Sequence, residues 1–184
     1  MLISCFNANA SRSVIHAAIQ GDDVQFITGS GHGEYDRFTG QGGATVWNTS
    51  AHPPRHVNGK FVHLLSCQTG GLLGLLFVAN GALAFWGYSV DFTFYCQRAP
   101  PADLSTDTFA KPFFLLDAII DVGILNGYDA NAIQRQLDKE FWKAYARLLS
   151  SSSSQSQLSA IALLDNFVHL VCPARSWGNA AATL

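Results

Sequence analysis

Two residues of this chain have the chemistry of a nucleophile and its base, and each follows an apolar run. Cys67 follows the apolar segment Phe61–Leu65 with only Ser66 between them, and a glycine-rich turn comes next. His32 lies in residues 26–33, which begin Phe-Ile-Thr and end Gly-Ser-Gly-His-Gly. A cysteine thiol becomes a strong nucleophile when a nearby imidazole or a helix N-terminus lowers its pKa. These residue types therefore predict a cysteine nucleophile assisted by a histidine.

Secondary structure must bring the two residues together, because they lie 35 positions apart, at 32 and 67. The alternation of strand, helix and strand predicts a parallel sheet in which residues 24–28 and 61–65 are neighbouring strands. Parallel neighbours lie about 4.8 Å apart and end at the same edge of the sheet. Open α/β sheets carry their sites at that edge. We therefore expect His32 and Cys67 to meet there, with the turn after Cys67 exposing its side chain.

The remaining sequence predicts one α/β domain with a mostly parallel sheet, helices on both faces and a helical C-terminal region. Segment 29–60 is expected to be irregular apart from a small hairpin strand at 45–47. We divide the chain into a domain at 1–149, a serine-rich linker at 150–157, and a last helix and frayed tail at 158–184 that pack on the same domain. The expected strands are 2–6, 24–28, 61–65 and 82–88, and the expected helices are 11–20, 72–79, 113–125, 129–149 and 158–171.

Composition limits the classes of function. Charged residues make up 13% of the chain and the net charge is −2, so no basic footprint for nucleic acid is present. The low charge content predicts extensive burial or an interface, which favours a larger assembly or a homo-oligomer. Residues 69–90 carry no charge, but Asn80-Gly81 interrupts them, so we expect a buried helix and strand and no membrane association.

The cysteines and histidines give no sign of a metal. The four cysteines form no C-x-x-C pair. His52 and His56 are four residues apart, but Pro53-Pro54 between them breaks helical spacing. The N-terminus lacks the basic and apolar regions of a signal peptide, so we expect a cytoplasmic protein with reduced thiols.

The ordered motifs resemble those of the caspase-like (clan CD) cysteine peptidases, nearer the gingipain, clostripain and CHAT-type bacterial branches than true caspases. The resemblance covers roughly residues 2–88. It rests on Ser30-Gly31-His32-Gly33, then Ser66-Cys67-Gln68-Thr69-Gly70, then residues 81–88, Gly-Ala-Leu-Ala-Phe-Trp-Gly-Tyr. It implies a caspase-like three-layer sandwich and a thiol protease acting on peptides or proteins, with no metal or other cofactor. It also implies a His32–Cys67 dyad and an oxyanion hole formed by the Gly33 and Cys67 amides.

The resemblance also indicates where substrate would bind. The strand after the nucleophile helix would wall the P1 pocket through Tyr88, Ser89 and Asp91. Asp91, or more weakly Asp36, would select Arg or Lys by ion pairing. Arg98 lies in the polar segment 97–108, where caspases are cut into two subunits, and is a candidate self-processing site.

Some features depart from the family pattern. Leu65, Ser66 and Thr69 do not fit the caspase signature Q-A-C-[RQG]-G. Leu65 also stands where basic-specific members carry an acid, and a further strand and helix would normally precede Leu2. We therefore keep two alternatives: a non-catalytic caspase-like regulatory or assembly module, and another cysteine hydrolase or amidotransferase.

Overall fold

The structure, a computed structural model, describes residues 10–21, 23–98, 106–173 and 177–184. These residues form an α/β fold with five α-helices and two sheets. The expected strand at 2–6 lies outside them. Within the described ranges, no helix combines the length and the apolar character that a membrane crossing requires.

The larger sheet has four strands in the order β1-β5-β6-β7. They are β1 Phe26–Ser30, β5 Phe61–Leu65, β6 Ala84–Tyr88 and β7 Leu170–Val171. The first three are parallel, and β7 pairs with β6 in the antiparallel direction. The expectation of a mostly parallel sheet is confirmed.

The strand predicted at 45–47 is present, but it belongs to a second, antiparallel sheet within the segment that was expected to be irregular. Its strands are β2 Gly33–Glu34, β3 Arg37–Thr39 and β4 Thr45–Asn48. The prediction failed here because β2 and β3 are too short to show an alternating pattern. The connections between the strands are a two-residue hairpin turn and a 3₁₀ turn, Gln41–Gly43, in which Gly42 and Gly43 have positive φ.

The helices are α1 Arg12–Ile19, α2 Leu72–Ala79, α3 Lys111–Leu125, α4 Ala130–Leu149 and α5 Ser154–His169. Asp129 caps α4 by accepting a hydrogen bond from the Ala132 amide at 2.7 Å. The buried Asp107 accepts bonds from the Phe109 and Ala110 amides at 2.8 and 3.0 Å, just before α3. The carboxylates of Asp107 and Asp129 thus fix where α3 and α4 begin.

Two hydrophobic cores lie on opposite faces of the larger sheet. Val62 and Leu64 of β5 belong to the core that contains α1, α2 and the small sheet. Phe61 of the same strand belongs to the core formed with α3, α4 and α5. The alternation of side chains along a strand explains this division. Helices therefore cover both faces of the sheet.

Several predicted boundaries need correction. β1 lies two residues later than predicted. Phe61 N donates to Gln25 O, and the paired residues of the two strands begin with Phe26 opposite Phe61. α5 begins at Ser154, within the predicted linker, and ends at His169, so that residues 170–171 form β7. The described tail is not frayed, since Asn179 N donates to Leu83 O and Gly178 bridges to Ala84.

Candidate active site

The pairing of β1 with β5 determines where His32 and Cys67 lie. Ser30 is the partner of Leu65 in this parallel register. His32 and Cys67 each come two residues later, so both follow the C-terminal ends of neighbouring strands. The Gly31 amide extends the pairing by donating to Leu65 O at 3.2 Å. The register thus brings the two backbone segments to the same edge of the sheet.

Gly33 brings the histidine segment directly against the cysteine turn. A Cβ atom at Gly33 would collide with the Cys67 carbonyl oxygen and would lie 2.6 Å from Thr69 Cγ2. Only a residue without a side chain permits this approach. His32, which directly precedes Gly33, is exposed, whereas Cys67 is half-buried. Cys67 is a free thiol.

The turn after Cys67 is held by several bonds. Ser66 Oγ and Thr69 Oγ1, both buried, lie 2.7 Å apart. The Gly70 amide donates to Tyr88 O at 2.8 Å, which fixes the turn to β6. Gln68 has φ of 56°, a left-handed conformation that is uncommon outside glycine. Strained backbone of this kind is often found at functional sites.

The hairpin between β2 and β3 lies beside this turn. The Tyr35 carbonyl accepts a hydrogen bond from the Leu73 amide, 3.1 Å away, in the first turn of α2. A Cβ atom at Gly71 would collide with the Tyr35 ring, which is 55% exposed. The next residue, Asp36, accepts a hydrogen bond from Arg37 Nε at 3.2 Å. Its carboxylate therefore already has a cationic partner.

Two backbone amides are available for a developing oxyanion. Thr39 N donates to His32 O, which makes Gly33 and Phe38 a non-hydrogen-bonded pair and leaves the Gly33 amide outside the hairpin ladder. The Cys67 amide also lacks a hydrogen-bond acceptor among the described residues. Amides of this kind stabilise an oxyanion when both point to its position.

The structure separates the candidate substrate residues into two groups. Asp91 is exposed and accepts a hydrogen bond from Gln68 Nε2 at 2.8 Å, which brings it to the Cys67 turn. Tyr88 is buried, and its hydroxyl donates to Asp117 on the opposite, helical side of the sheet. The Ser89 hydroxyl donates to His169 O. Of these three residues, only Asp91 has a side chain that is hydrogen-bonded to the turn after Cys67.

The candidate processing residue lies at the border of the described region. Arg98 is exposed. The amide before it, Gln97 N, donates to Asp107 Oδ2 at 2.7 Å and so ties the segment to the start of α3. Residues 99–105, which follow the Arg98 bond, lie outside the described residues.

A buried polar network beneath the sheet was not predicted. His63 on β5 contacts Asp121 through Nδ1 at 2.5 Å and Asp117 through Nε2 at 3.1 Å. Tyr88 donates to Asp117 at 3.0 Å, and Thr28 donates to Asp121 at 2.9 Å. Burial alone would lower the pKa of His63, but the two carboxylates outweigh it and raise that pKa to about 10.

This network also affects Tyr88. Burial and the neighbouring Asp117 raise the pKa of the Tyr88 phenol well above its usual value. The position of His63 in an apolar strand indicates a packed residue but does not reveal this network. The available signal was the pair Asp117 and Asp121, which are four apart in the otherwise apolar α3 and so share one face.

The described residues contain no group of three or more His, Cys, Asp or Glu side chains placed to hold a metal ion. The side chains of His32 and Cys67 are not hydrogen-bonded to each other in this structure. Comparison of the chain with protein-family models, with curated proteins and with solved structures finds no match in any of the three.

Proposed function

We propose that this protein is a cysteine endopeptidase of the caspase-like kind, with Cys67 as nucleophile and His32 as its proton-transfer partner. The observation that carries the proposal is the β1–β5 register, with Ser30 opposite Leu65 and each functional residue two positions further on. The contact of Gly33 with the Cys67 turn supports it, since it keeps the two segments together.

The reaction begins when His32 accepts the Cys67 thiol proton and the thiolate attacks the scissile carbonyl carbon, forming a C–S bond. The carbonyl oxygen becomes an oxyanion, which the Gly33 and Cys67 amides stabilise. The C–N bond then breaks, and His32 delivers its proton to the leaving amine. Water attacks the resulting thioester while His32 accepts a proton from it. The C–S bond breaks, the carboxylic acid is released, and His32 returns the proton to the Cys67 thiolate.

Asp91 is the residue that we assign to selection of the P1 side chain. It is exposed, and its bond to Gln68 links it to the residue after the nucleophile. Asp36 is the weaker candidate because Arg37 already neutralises it. A carboxylate at this position favours Arg or Lys in the substrate.

The experiment is labelling with a series of peptidyl acyloxymethyl ketones that carry Arg, Lys, Asp or Leu at P1. Intact mass and peptide mapping should show one adduct, on Cys67, with Arg and Lys probes reacting fastest. We expect Cys67→Ala to remove the adduct and His32→Ala to slow labelling by about 10²-fold or more. The matched controls, Cys96→Ala and His169→Ala, should label like the wild type.

The results also separate the alternatives. If no probe modifies wild-type Cys67, or if His32→Ala labels at the wild-type rate, the dyad is wrong and a non-catalytic module is favoured. If Cys67 ignores peptidyl probes but reacts with small amide-derived electrophiles, a different cysteine hydrolase or amidotransferase is favoured. Equal reactivity at all four P1 residues would contradict the role of Asp91.

A further inference from the structure

A cleft of about 370 Å³ lies between α1 and the loop that joins β4 to β5. Its lining is almost entirely polar and cationic. None of its described lining residues is acidic, although the whole chain has a net charge of −2. The lining residues are Arg12, Ser13, His16, Gln20, Ala51, His52, Pro53, Arg55 and His56.

Basic side chains are concentrated in the cleft. It contains three of the chain's six histidines and two arginines. The two guanidinium charges repel each other, and a bound anion would relieve that repulsion. His16 shows the effect: burial, followed by the Arg12 charge, lowers its pKa, and His56 and His52 add to this despite an opposing bond to Val46.

Hydrogen bonds hold part of the cleft in place. Arg12 Nη1 is hydrogen-bonded to His52 Nδ1. Because a guanidinium only donates, this bond makes His52 Nδ1 an acceptor and holds Arg12 across the cleft. Asn48 Oδ1 accepts bonds from the His52 and Ser50 amides at 2.7 and 3.3 Å, which fixes the loop to β4.

Two further details indicate a site that is prepared for a ligand. His16 stacks on Trp47, with ring centroids 5.8 Å apart, and its buried Nε2 atom has no hydrogen-bond partner among the described residues. His56 has φ of 59°, a left-handed conformation for a residue with a side chain. An unpaired buried nitrogen and a strained backbone each cost free energy, and both belong to residues that line the cleft.

We propose that this cleft binds a small molecule that carries a phosphoryl group, with Arg12 and Arg55 as its main charged contacts and His16, His52 and His56 around it. Guanidinium groups form paired, charge-assisted hydrogen bonds with phosphate oxygens. The volume suits a phosphorylated metabolite, since ligand sites of a few hundred cubic ångströms accommodate molecules of that size. The proposal does not depend on the function of Cys67.

The test is to titrate the full chain with inorganic pyrophosphate at constant ionic strength and to measure binding by calorimetry. We expect saturable binding, and we expect the Arg12→Gln/Arg55→Gln double variant to bind about tenfold more weakly or worse. Lys139→Gln is the matched control, because it removes one exposed cation from α4, away from the cleft. Cys67→Ala should bind like the wild type, which separates this site from the peptidase proposal.

A second measurement does not require any variant to fold. In the wild-type protein, pyrophosphate should shift the imidazole NMR signals of His16, His52 and His56 and leave that of His169 unchanged. Equal shifts at all histidines, binding that does not saturate, or unchanged affinity in the folded double variant would each overturn the proposal.

Discussion

Gly33 is the residue through which the histidine segment touches the cysteine turn. Its backbone lies where any side chain would collide with the Cys67 carbonyl oxygen and approach Thr69 Cγ2 within 2.6 Å. The backbone of the turn cannot move far, because the Gly70 amide is bonded to Tyr88 O on β6. A larger residue at position 33 must therefore displace the segment that carries His32.

We predict that Gly33→Ala slows acyloxymethyl ketone labelling of Cys67 by at least about tenfold, because it moves both His32 and the position 33 amide. Labelling kinetics measured by intact mass check this. Gly21→Ala is the control, since an added Cβ there meets only Ala18 O at 4.0 Å. Wild-type labelling kinetics in Gly33→Ala would show that this close approach has no part in the reactivity of Cys67.

His63 shows where prediction from sequence ends at the scale of single residues. Its place in an apolar strand correctly indicated burial, since it is 1% exposed. Its partners Asp117 and Asp121 come from α3, more than 50 residues later in the chain. The relative rotation of α3 and β5, which makes them neighbours, depends on packing of the whole core. No local pattern in the sequence specifies that rotation.

At the scale of elements, the turn from Ser66 to Gly71 joins β5 to α2. Its two buried hydroxyls, on Ser66 and Thr69, satisfy each other at 2.7 Å. A buried hydroxyl without a partner costs free energy, because it has given up hydrogen bonds with water. This pair therefore stabilises one conformation of the turn that carries Cys67.

Thr69→Val tests that contribution. Valine keeps the methyl group that faces Gly33 but leaves Ser66 Oγ without its partner, so we expect a loss of about 1–2 kcal/mol in the free energy of unfolding. Urea denaturation measures it. Thr108→Val, at an exposed position, should change stability by less than about 0.5 kcal/mol. If both variants match the wild type, the hydroxyl pair does not stabilise the turn.

Elements with strong local signals were predicted at their observed bounds. Two examples are β5 and α2. Each is a mostly apolar run with glycines close to its ends, and His63 is the one polar residue in β5. The parallel pairing of β1 with β5 was also predicted, although β1 lies two residues later than expected. β7 was missed because two residues become a strand only through their partner, β6. β2 and β3 were missed for the same reason, whereas the strand predicted at 45–47 is present as β4.

At the scale of the whole molecule, charges of opposite sign are separated. The Arg12 and Arg55 cleft lies between α1 and the loop before β5, while Asp117 and Asp121 lie on the other face of the sheet, under α3. The acidic pair is satisfied by His63, whose imidazolium bridges the two carboxylates. The cationic cleft has no such internal partner among the described residues. The Asp117 and Asp121 cluster therefore contributes to the stability of the fold. The Arg12 and Arg55 cleft is where we expect an anion to bind.

The His63 cluster predicts a dependence of stability on pH. The pKa of His63 is about 10 in the folded protein, above its ordinary value of 6.5, so protonation stabilises the folded state fully below pH 6.5. That contribution is lost as the pH rises through about 10. The raised pKa of Tyr88 acts in the same direction, but only above about pH 10, where the phenol ionises in the unfolded chain. We expect the free energy of unfolding, measured by urea denaturation, to fall steadily between pH 6.5 and about 10.

The variant His63→Leu leaves two carboxylates beneath the sheet without their cation, and we expect it to cost about 3 kcal/mol near neutral pH. The same variant should flatten the alkaline decline. His169→Gln, on the surface of α5, should retain the wild-type profile. A wild-type free energy of unfolding that is constant from pH 6.5 to 10 would rule out the protonated state of His63 as a source of stability.

The order of strands in the larger sheet has a consequence for the rate of folding. β1 and β5 pair residues 35 positions apart, as in Phe26 with Phe61, and β6 and β7 pair Gly87 with Val171, 84 positions apart. Contacts between distant segments require large loops to close before any stabilising interaction is gained, and such chains fold slowly. The Cys67 turn contacts β6 and also lies against Val171 through Gly70. We therefore expect Cys67 to reach its final environment late in folding, after β7 has joined the sheet.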